Sequence, residues 1–184
     1  MASSRRILLT TSRNPTPRIR TFCNDLARAI SGLVRVNRGK MSTDEIAEKA
    51  LEYDAECVVI VDRWHGGLDS IRFFQIGESG LISVPPVLHV SGIRLRREFG
   101  VVKVKPAVSL VVLASETSVR VLTIAESLSK FFAIPIALVN EAVKIGPTSM
   151  AISLDESNRI VMTFMVEPNH VEVGPRIIVS GVKW

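Results

Sequence analysis

The stretch TSRNPTPRIR, from Thr11 to Arg20, joins a short apolar run to an amphipathic segment. Residues 7–9 before it predict a strand, and residues 22–30 after it have the apolar spacing of a helix. A helix N-terminus offers unpaired N–H groups and partial positive charge. The stretch adds three arginines: Arg13, Arg18 and Arg20. Such a junction suits a phosphate group and leads to the hypothesis of nucleic-acid binding.

Length and composition limit the class of protein. The 184 residues are 47% hydrophobic and 22% charged, which is typical of a globular chain with a core. No apolar run approaches the roughly 20 residues of a membrane span, and the N-terminal segment does not resemble a signal peptide. Cys23 and Cys57 lie far apart, so neither a zinc site nor a redox pair is predicted. We therefore expect a reduced, cytoplasmic protein with no cofactor and no membrane partner.

The net charge of +5 is unevenly distributed. Residues 1–40 hold nine basic side chains and one acidic side chain, and residues 93–105 hold five basic and one acidic. Many acidic residues fall between positions 44 and 56. Segregated charge creates a directional field that attracts a polyanion. A simpler interpretation also stands, in which the arginines are only solvated, or Arg28 and Arg35 pair with acidic neighbours.

The second half of the chain echoes the first at a spacing of 102 residues. Residues 8–11 align with residues 110–113, for example. Only two copies are present, and each contains a strand–helix–strand pattern, so a solenoid is not expected. The sequence predicts an α/β fold in which two duplicated halves, about 1–99 and 100–184, pack as one compact domain.

Each half is predicted to begin with a strand, a helix and a second strand. In the first half these cover 6–11, 17–31 and 33–37, followed by an acidic helix at 43–54 and strands at 57–61, 70–76 and 81–95. In the second half they cover 108–113, 116–132 and 135–140, followed by strands at 149–154, 159–166 and 175–181. Gly32 is expected to end the first helix. Residues 155–158 are expected to form a hairpin loop, and the acidic helix has no predicted counterpart.

The sequence contains no recognisable enzyme constellation. Three histidines are present without metal-ligand spacing: His65, His89 and His170. Asp62 and Asp155 end apolar runs, and a turn role is favoured for them over catalysis. Trp64 and His65 either stack on a base or pack at the edge of the sheet. We therefore predict no catalysis, no metal and no small-molecule substrate.

Three motifs carry a family resemblance. They are Thr11-Ser12-Arg13-x-Pro15-Thr16-x-Arg18 with Phe22, Leu26 and Asn37-Arg38-Gly39; Ile145-Gly146-Pro147-Thr148; and Val171-Glu172-Val173-Gly174-Pro175-Arg176. Together they resemble the Brix domain of ribosome-biogenesis proteins in eukaryotes and archaea. In eukaryotic members we expect the Gly-Pro-Thr turn in the first half, where this chain reads Gly-Glu-Ser-Gly at residues 77–80. If the halves are duplicated, Gly77 and Gly146 would occupy equivalent turns.

The resemblance implies a duplicated α/β fold similar to the anticodon-binding domain of class II aminoacyl-tRNA synthetases. It also implies binding to ribosomal RNA precursors without catalysis, and protein partners in the pre-ribosome. The chain lacks the long basic tails of many eukaryotic members, so it resembles a minimal archaeal form.

Two basic groups are therefore the predicted RNA-binding residues. They are Arg13, Arg18, Arg20, Arg38 and Lys40, and, where the two halves join, Arg94, Arg96, Arg97, Lys103 and Lys105. Two alternatives remain open: a protein-interaction module that docks on an acidic partner, and a transfer-RNA-binding or synthetase-accessory module.

Overall fold

The computed structural model describes residues 5–65, 67–100, 110–113, 118–138, 148–166 and 169–184. Within these ranges the helices are α1 (Pro17–Ala29), α2 (Thr43–Glu52), a 3-10 helix (Arg96–Phe99) and α3 (Val119–Phe132). The strands of the first half are β1 (Ile7–Thr11), β2 (Leu33–Arg35), β3 (Cys57–Trp64), β4 (Gly67–Gly77) and β5 (Gly80–Arg94). Those of the second half are β6 (Leu110–Leu113), β7 (Ile136–Leu138), β8 (Thr148–Leu154), β9 (Ile160–Val166), β10 (Val171–Glu172) and β11 (Arg176–Lys183). No helix in these ranges is long and apolar enough to cross a membrane.

The strands form one mixed sheet in the order β2-β1-β3-β4-β5-β11-β9-β8-β6-β7, with β10 paired to β9. At one end β1 lies parallel between β2 and β3, and at the other β6 lies parallel between β7 and β8. The pairs between these two trios are antiparallel. The strand order is therefore equivalent when followed from either end to the central β5–β11 pair.

The register of two hairpins also matches. Val61 pairs with Ile71 in β3–β4, and Ile152 pairs with Met162 in β8–β9. Each residue of the first pair precedes its counterpart by 91 positions, and six consecutive pairs follow this spacing. The sheet thus repeats residue by residue in this part of the molecule.

The connection into these hairpins differs between the halves. Ile7 of β1 pairs with Cys57, 50 residues further on, whereas Leu110 of β6 pairs with Ser149, 39 residues further on. The longer connection contains the ten residues of α2. Gly146 and Pro147 of the predicted Gly-Pro-Thr turn at 146–148 lie outside the described residues, but Thr148 opens β8, the counterpart of β3 in the strand order. Equivalence with Gly77, which ends β4, is therefore wrong.

Helix starts follow from local capping. The Thr16 hydroxyl accepts a hydrogen bond from the Ile19 N–H at 3.3 Å, and Pro17 takes the first helical position of α1. Ser118, 102 residues after Thr16, accepts a bond from the Val121 N–H at 3.3 Å and caps α3. α1 ends at Ala29, so the prediction that Gly32 ends it is wrong. Gly32 has a φ of 82° in the turn before β2.

The core lies on both faces of the sheet. α1 and α3 share one apolar cluster, in which the rings of Phe73 and Phe131 pack with centroids 4.9 Å apart. On the other face α2 packs through Ile46 against Leu8. β1 is buried on both faces because α1 covers one side and α2 the other, which explains the apolar run from Ile7 to Leu9.

The last strand and the third motif join the halves. β11 lies between β5 and β9, a position that the sequence did not predict. Gly174 has a φ of 68°, and a Cβ there would lie 2.6 Å from the Phe99 ring. The guanidinium carbons of Arg94 and Arg176 stand 4.2 and 5.7 Å from the centroid of the same ring. The Val-Gly-Pro-Arg motif therefore packs against the 3-10 helix. The sequence did not predict this helix.

Candidate nucleic-acid interface

The candidate interface lies at the carboxyl ends of the parallel strands β1, β2 and β3. Thr11 and Arg35 are the last residues of β1 and β2, and β3 continues to Trp64. The loops that leave this edge lead into α1 and α2. Crevices at the carboxyl ends of parallel strands are common ligand sites in α/β folds.

One depression at this edge, the arginine hollow, has a volume of about 510 Å³. Its lining combines four basic side chains with two amide side chains and small loop residues. The lining residues are Thr11, Asn14, Pro15, Arg20, Arg35, Asn37, Arg38, Gly39 and Lys40. Guanidinium, ammonium and amide N–H groups are the donors that proteins use to bind phosphate oxygens.

Hydrogen bonds hold two of these guanidiniums in place. Arg35 donates from Nη1 to Asn24 Oδ1 at 2.7 Å and from Nη2 to Asn37 Oδ1 at 2.9 Å. Its Nε is buried and has no hydrogen-bond partner among the described residues. Arg38 donates from Nε to the Met41 carbonyl at 2.7 Å. The cations are therefore oriented before any ligand arrives.

Arg38 occupies an unfavourable site for a cation. Burial lowers the pKa of its guanidinium, Arg13 and Arg72 lower that pKa further, and Asp62 opposes them. Like charges close together disfavour the charged form of each. A bound anion would relieve this repulsion.

A second depression, the tryptophan hollow, also has a volume of about 510 Å³ and shares Asn14 and Arg38 with the first. Its lining residues are Ser12, Arg13, Asn14, Arg38, Asp62, Arg63, Trp64, His65 and Arg72. Asp62, the one carboxylate in this lining, binds Arg72 through both of its oxygens. The remaining basic side chains therefore give the two hollows a net positive charge.

The tip of the β3–β4 hairpin is tied to the turn before α1. The Arg63 N–H donates to Ser12 Oγ at 3.1 Å, and Arg63 Nη1 donates to the Asn14 carbonyl at 2.6 Å. Trp64 follows with 68% of its surface exposed, and the His65 ring meets it edge-on with centroids 4.9 Å apart. These bonds place an exposed indole beside the basic lining.

Four of the five residues in the first predicted basic group lie together in the structure. Arg13, Arg20, Arg38 and Lys40 line the two hollows. Arg18 lies on the other side of α1. Its Nη1 and Nη2 donate to the Glu98 carboxylate at 2.6 and 3.1 Å, and Nη2 also donates to the Ile93 carbonyl at 3.0 Å.

The described members of the second predicted group, Arg94, Arg96 and Arg97, lie near Arg18 and apart from the hollows. Arg94 Nη2 donates to the Glu98 carbonyl at 2.7 Å, and the Arg96 N–H donates to Asp25 Oδ2 at 3.0 Å. Arg97 is exposed, and Lys103 and Lys105 lie outside the described residues.

The side-chain partners of Arg35 are amides of Asn24 and Asn37, so the alternative in which Arg35 pairs with an acidic neighbour is wrong. Asp25 is occupied by the Arg96 backbone instead. The prediction of a turn role for Asp155 is confirmed, because Oδ1 accepts from the Ser157 and Arg159 N–H groups at 3.0 and 2.9 Å.

Sequence reasoning missed Arg63 and Arg72 as members of the site. Arg72 pairs with Ile60 across the β3–β4 ladder and reaches Asp62, two residues along the same face. A register for the hairpin, had it been assigned from the alternating pattern of 70–76, would have placed Arg72 beside Asp62. Within the described ranges no group of three or more His, Cys, Asp or Glu side chains is placed to hold a metal ion.

Known proteins with similar sequences and structures indicate the family of this chain, although no family model matches it. A crystal structure of a probable ribosomal biogenesis protein from Aeropyrum pernix superimposes with a TM-score of 0.78, at 30% identity over 95% of both chains. A curated Aeropyrum pernix relative, a probable Brix domain-containing ribosomal biogenesis protein, is 40% identical over 68 residues. The chain belongs to the Brix-domain family.

Further comparisons extend this likeness. A Brix-domain relative from Methanopyrus kandleri, with the same description, is 32% identical over 127 residues, 66% of this chain. The matches span 38% of the Aeropyrum pernix relative and 64% of the Methanopyrus kandleri relative, less than two thirds of either. The crystal structure of Mil, an archaeal Imp4-like protein, has a TM-score of 0.67 at 24% identity and shows the same mixed α/β fold.

Proposed function

We propose that this Brix-domain chain acts in ribosome biogenesis by binding ribosomal RNA precursors at the two hollows. The observation that carries the proposal is the convergence of basic side chains from separate segments on one edge of the sheet. They are Arg13, Arg20, Arg35, Arg38, Lys40, Arg63 and Arg72. One carboxylate, Asp62, stands among them and is paired.

The hollows provide phosphate recognition rather than base pairing or chemistry. Oriented guanidiniums and amides match the oxygens of a phosphate backbone, and such contacts select the shape of folded RNA. The descriptions of the relatives support ribosome biogenesis as the process. We infer that the chain is a non-catalytic, cytoplasmic assembly factor and that pre-ribosomal proteins are further partners.

We further infer that the two halves arose by duplication and form one domain over residues 1–184. The support is the equivalent strand order from both ends and the constant spacing of 91 positions along two hairpins. The proposed likeness to the anticodon-binding domain of class II aminoacyl-tRNA synthetases rests on the family resemblance. It raises transfer RNA as the competitor ligand to be tested.

The direct experiment is filter binding of the protein to a ribosomal RNA precursor fragment between about 50 and 200 mM salt. If about five phosphates are neutralised, log Kd should rise with log salt at a slope of roughly 3.5 to 4.5. Excess transfer RNA and an acidic polypeptide of equal charge serve as competitors. Weak binding without salt dependence, or displacement by the acidic polypeptide at lower concentration than by ribosomal RNA, would contradict the proposal.

A further inference from the structure

Trp64 is an exposed aromatic side chain on an ordered backbone. Of its surface 68% is exposed, yet its backbone pairs with Gly67 in the β3–β4 ladder. The preceding residue, Arg63, binds Ser12 and the Asn14 carbonyl on the turn before α1. Because the backbone is already ordered, stacking a ligand on the indole costs only the rotamer freedom of this one side chain.

The indole stands where cations surround it. Arg13, Arg38, Arg63 and Arg72 line the tryptophan hollow with it, and through Arg38 that hollow continues into the arginine hollow. None of the described residues that line the arginine hollow is aromatic. The site therefore has one surface suited to a planar base and a longer basic surface suited to phosphates.

We propose that the tryptophan hollow binds one unpaired nucleotide of RNA, with the base stacked on Trp64 and its flanking phosphates on Arg13 and Arg38. The strand then continues through the arginine hollow. This inference rests on the proposed function and specifies the form of RNA that the site recognises.

An unpaired nucleotide is required by the geometry of stacking. Inside a duplex, both faces of each base are covered by its neighbours, so an indole has no face to contact. Loops, bulges and single strands expose those faces, and aromatic side chains bind them with little sequence preference. A uniformly paired helix would use the arginines alone.

The first test uses the fluorescence of Trp64 itself. The chain has two tryptophans, so the Trp184→Phe variant leaves Trp64 as the only indole. It is titrated with a single-stranded RNA of about ten nucleotides and with a fully paired duplex of the same strand. We expect the single strand to quench the emission at saturation and the duplex to leave it nearly unchanged.

The second test compares affinities of variants for the same two RNAs. Trp64→Ala should weaken binding of the single strand by about tenfold or more, Trp64→Phe should retain most of it, and neither should change duplex binding. Trp184→Ala is the matched control, because Trp184 is also exposed, at 58%, and lies at the end of β11 outside the hollows.

The outcomes separate this inference from the proposed function. If Trp64→Ala binds the single strand as well as the unmodified protein does, or if duplex and single strand quench the emission equally, the stacked nucleotide is refuted. Salt-dependent binding of RNA in the same experiments would still support phosphate binding at the basic hollows. Absence of salt-dependent RNA binding by the unmodified protein would overturn both.

Discussion

The β3–β4 and β8–β9 hairpins share a register over six pairs but differ at their tips. In the first hairpin the tip carries the exposed Trp64 and is bound to the turn before α1 through Arg63. In the second, Asp155 closes the tip on itself by accepting N–H groups from Ser157 and Arg159. The pairing of the strands is shared, and the chemistry of the tips is not.

The sequences that follow the first strand of each half differ as well. At the repeat spacing of 102, the position of Arg13 is Ser115 and that of Arg20 is Leu122. Pairing and burial constrain every residue of a central strand, whereas residues beyond a strand end carry no ladder bond. Basic residues at the described edge of the first half are therefore compatible with an unchanged sheet, and the candidate interface is placed there.

The largest expected effect is a loss of stability, and it tests whether the two halves share one core. Phe73 of β4 and Phe164 of β9 occupy equivalent positions, with 2% and 0% of their surfaces exposed. Phe73→Ala and Phe164→Ala should each lower the free energy of unfolding by about 3–5 kcal/mol, because each leaves a cavity in one common core. Urea denaturation should show a single transition for both variants.

Ile82→Ala is the control for this pair, since Ile82 is apolar but 56% exposed and should change stability by less than about 0.5 kcal/mol. Two separate transitions, each shifted by a different phenylalanine variant, would show that the halves unfold independently. That result would refute the single domain.

The next largest effect is a loss of RNA affinity, and it tests whether RNA binds in the first half rather than the second. Arg20→Ala with Arg38→Ala removes two cations from the first edge, and Arg120→Ala with Arg159→Ala removes two from the second. The first double variant should weaken binding to the ribosomal RNA fragment by roughly 10- to 100-fold and reduce the salt slope by about 1.4 to 1.8. The second should change affinity by about twofold, through net charge alone.

Equal losses from both double variants would show that RNA responds only to overall charge. Because Arg38 also binds the Met41 carbonyl, thermal unfolding of each variant should accompany the binding assay. Arg38→Lys keeps the charge but loses the fork of donors, and should bind with intermediate affinity.

Much of this architecture was predictable because it depends on nearby residues. The helix start at residue 17, the apolar spacing of α1 and the turn at Asp155 are local patterns, and each appears in the structure. The basic character of the stretch from Arg13 to Arg20 likewise pointed to the edge that holds the hollows.

The rest depends on contacts between residues far apart in sequence. Arg18 pairs with Glu98, which lies 80 positions further along the chain, because β5 brings the 3-10 helix back beside α1. Arg63 and Arg72 can be placed in the site only when the β3–β4 register is known, and β11 lies at the centre of the sheet because it pairs with β5 of the first half and β9 of the second. For the Arg18–Glu98 pair and for the place of β11, composition and spacing carry no signal.

The smallest expected effect concerns the Arg18–Glu98 pair, which lies apart from the hollows. Its hydrogen bonds from Arg18 and then from the Leu95 N–H lower the pKa of the Glu98 carboxyl from its ordinary 4.5. A carboxyl whose pKa is lower in the folded state stabilises the fold above the unfolded pKa, and this contribution disappears as the pH falls through the folded value. Glu98→Gln should therefore lower the free energy of unfolding at pH 7 by a few tenths of a kcal/mol, up to about 1, and by progressively less below about pH 4.5.

Urea denaturation of both proteins across this pH range measures the difference in the free energy of unfolding. In an Arg18→Ala background the pH-dependent part of that difference should shrink to what the Leu95 bond supplies. A gap that stays constant with pH would show that Glu98 acts through packing rather than charge, and Arg18 would then be available to RNA at no cost to the fold.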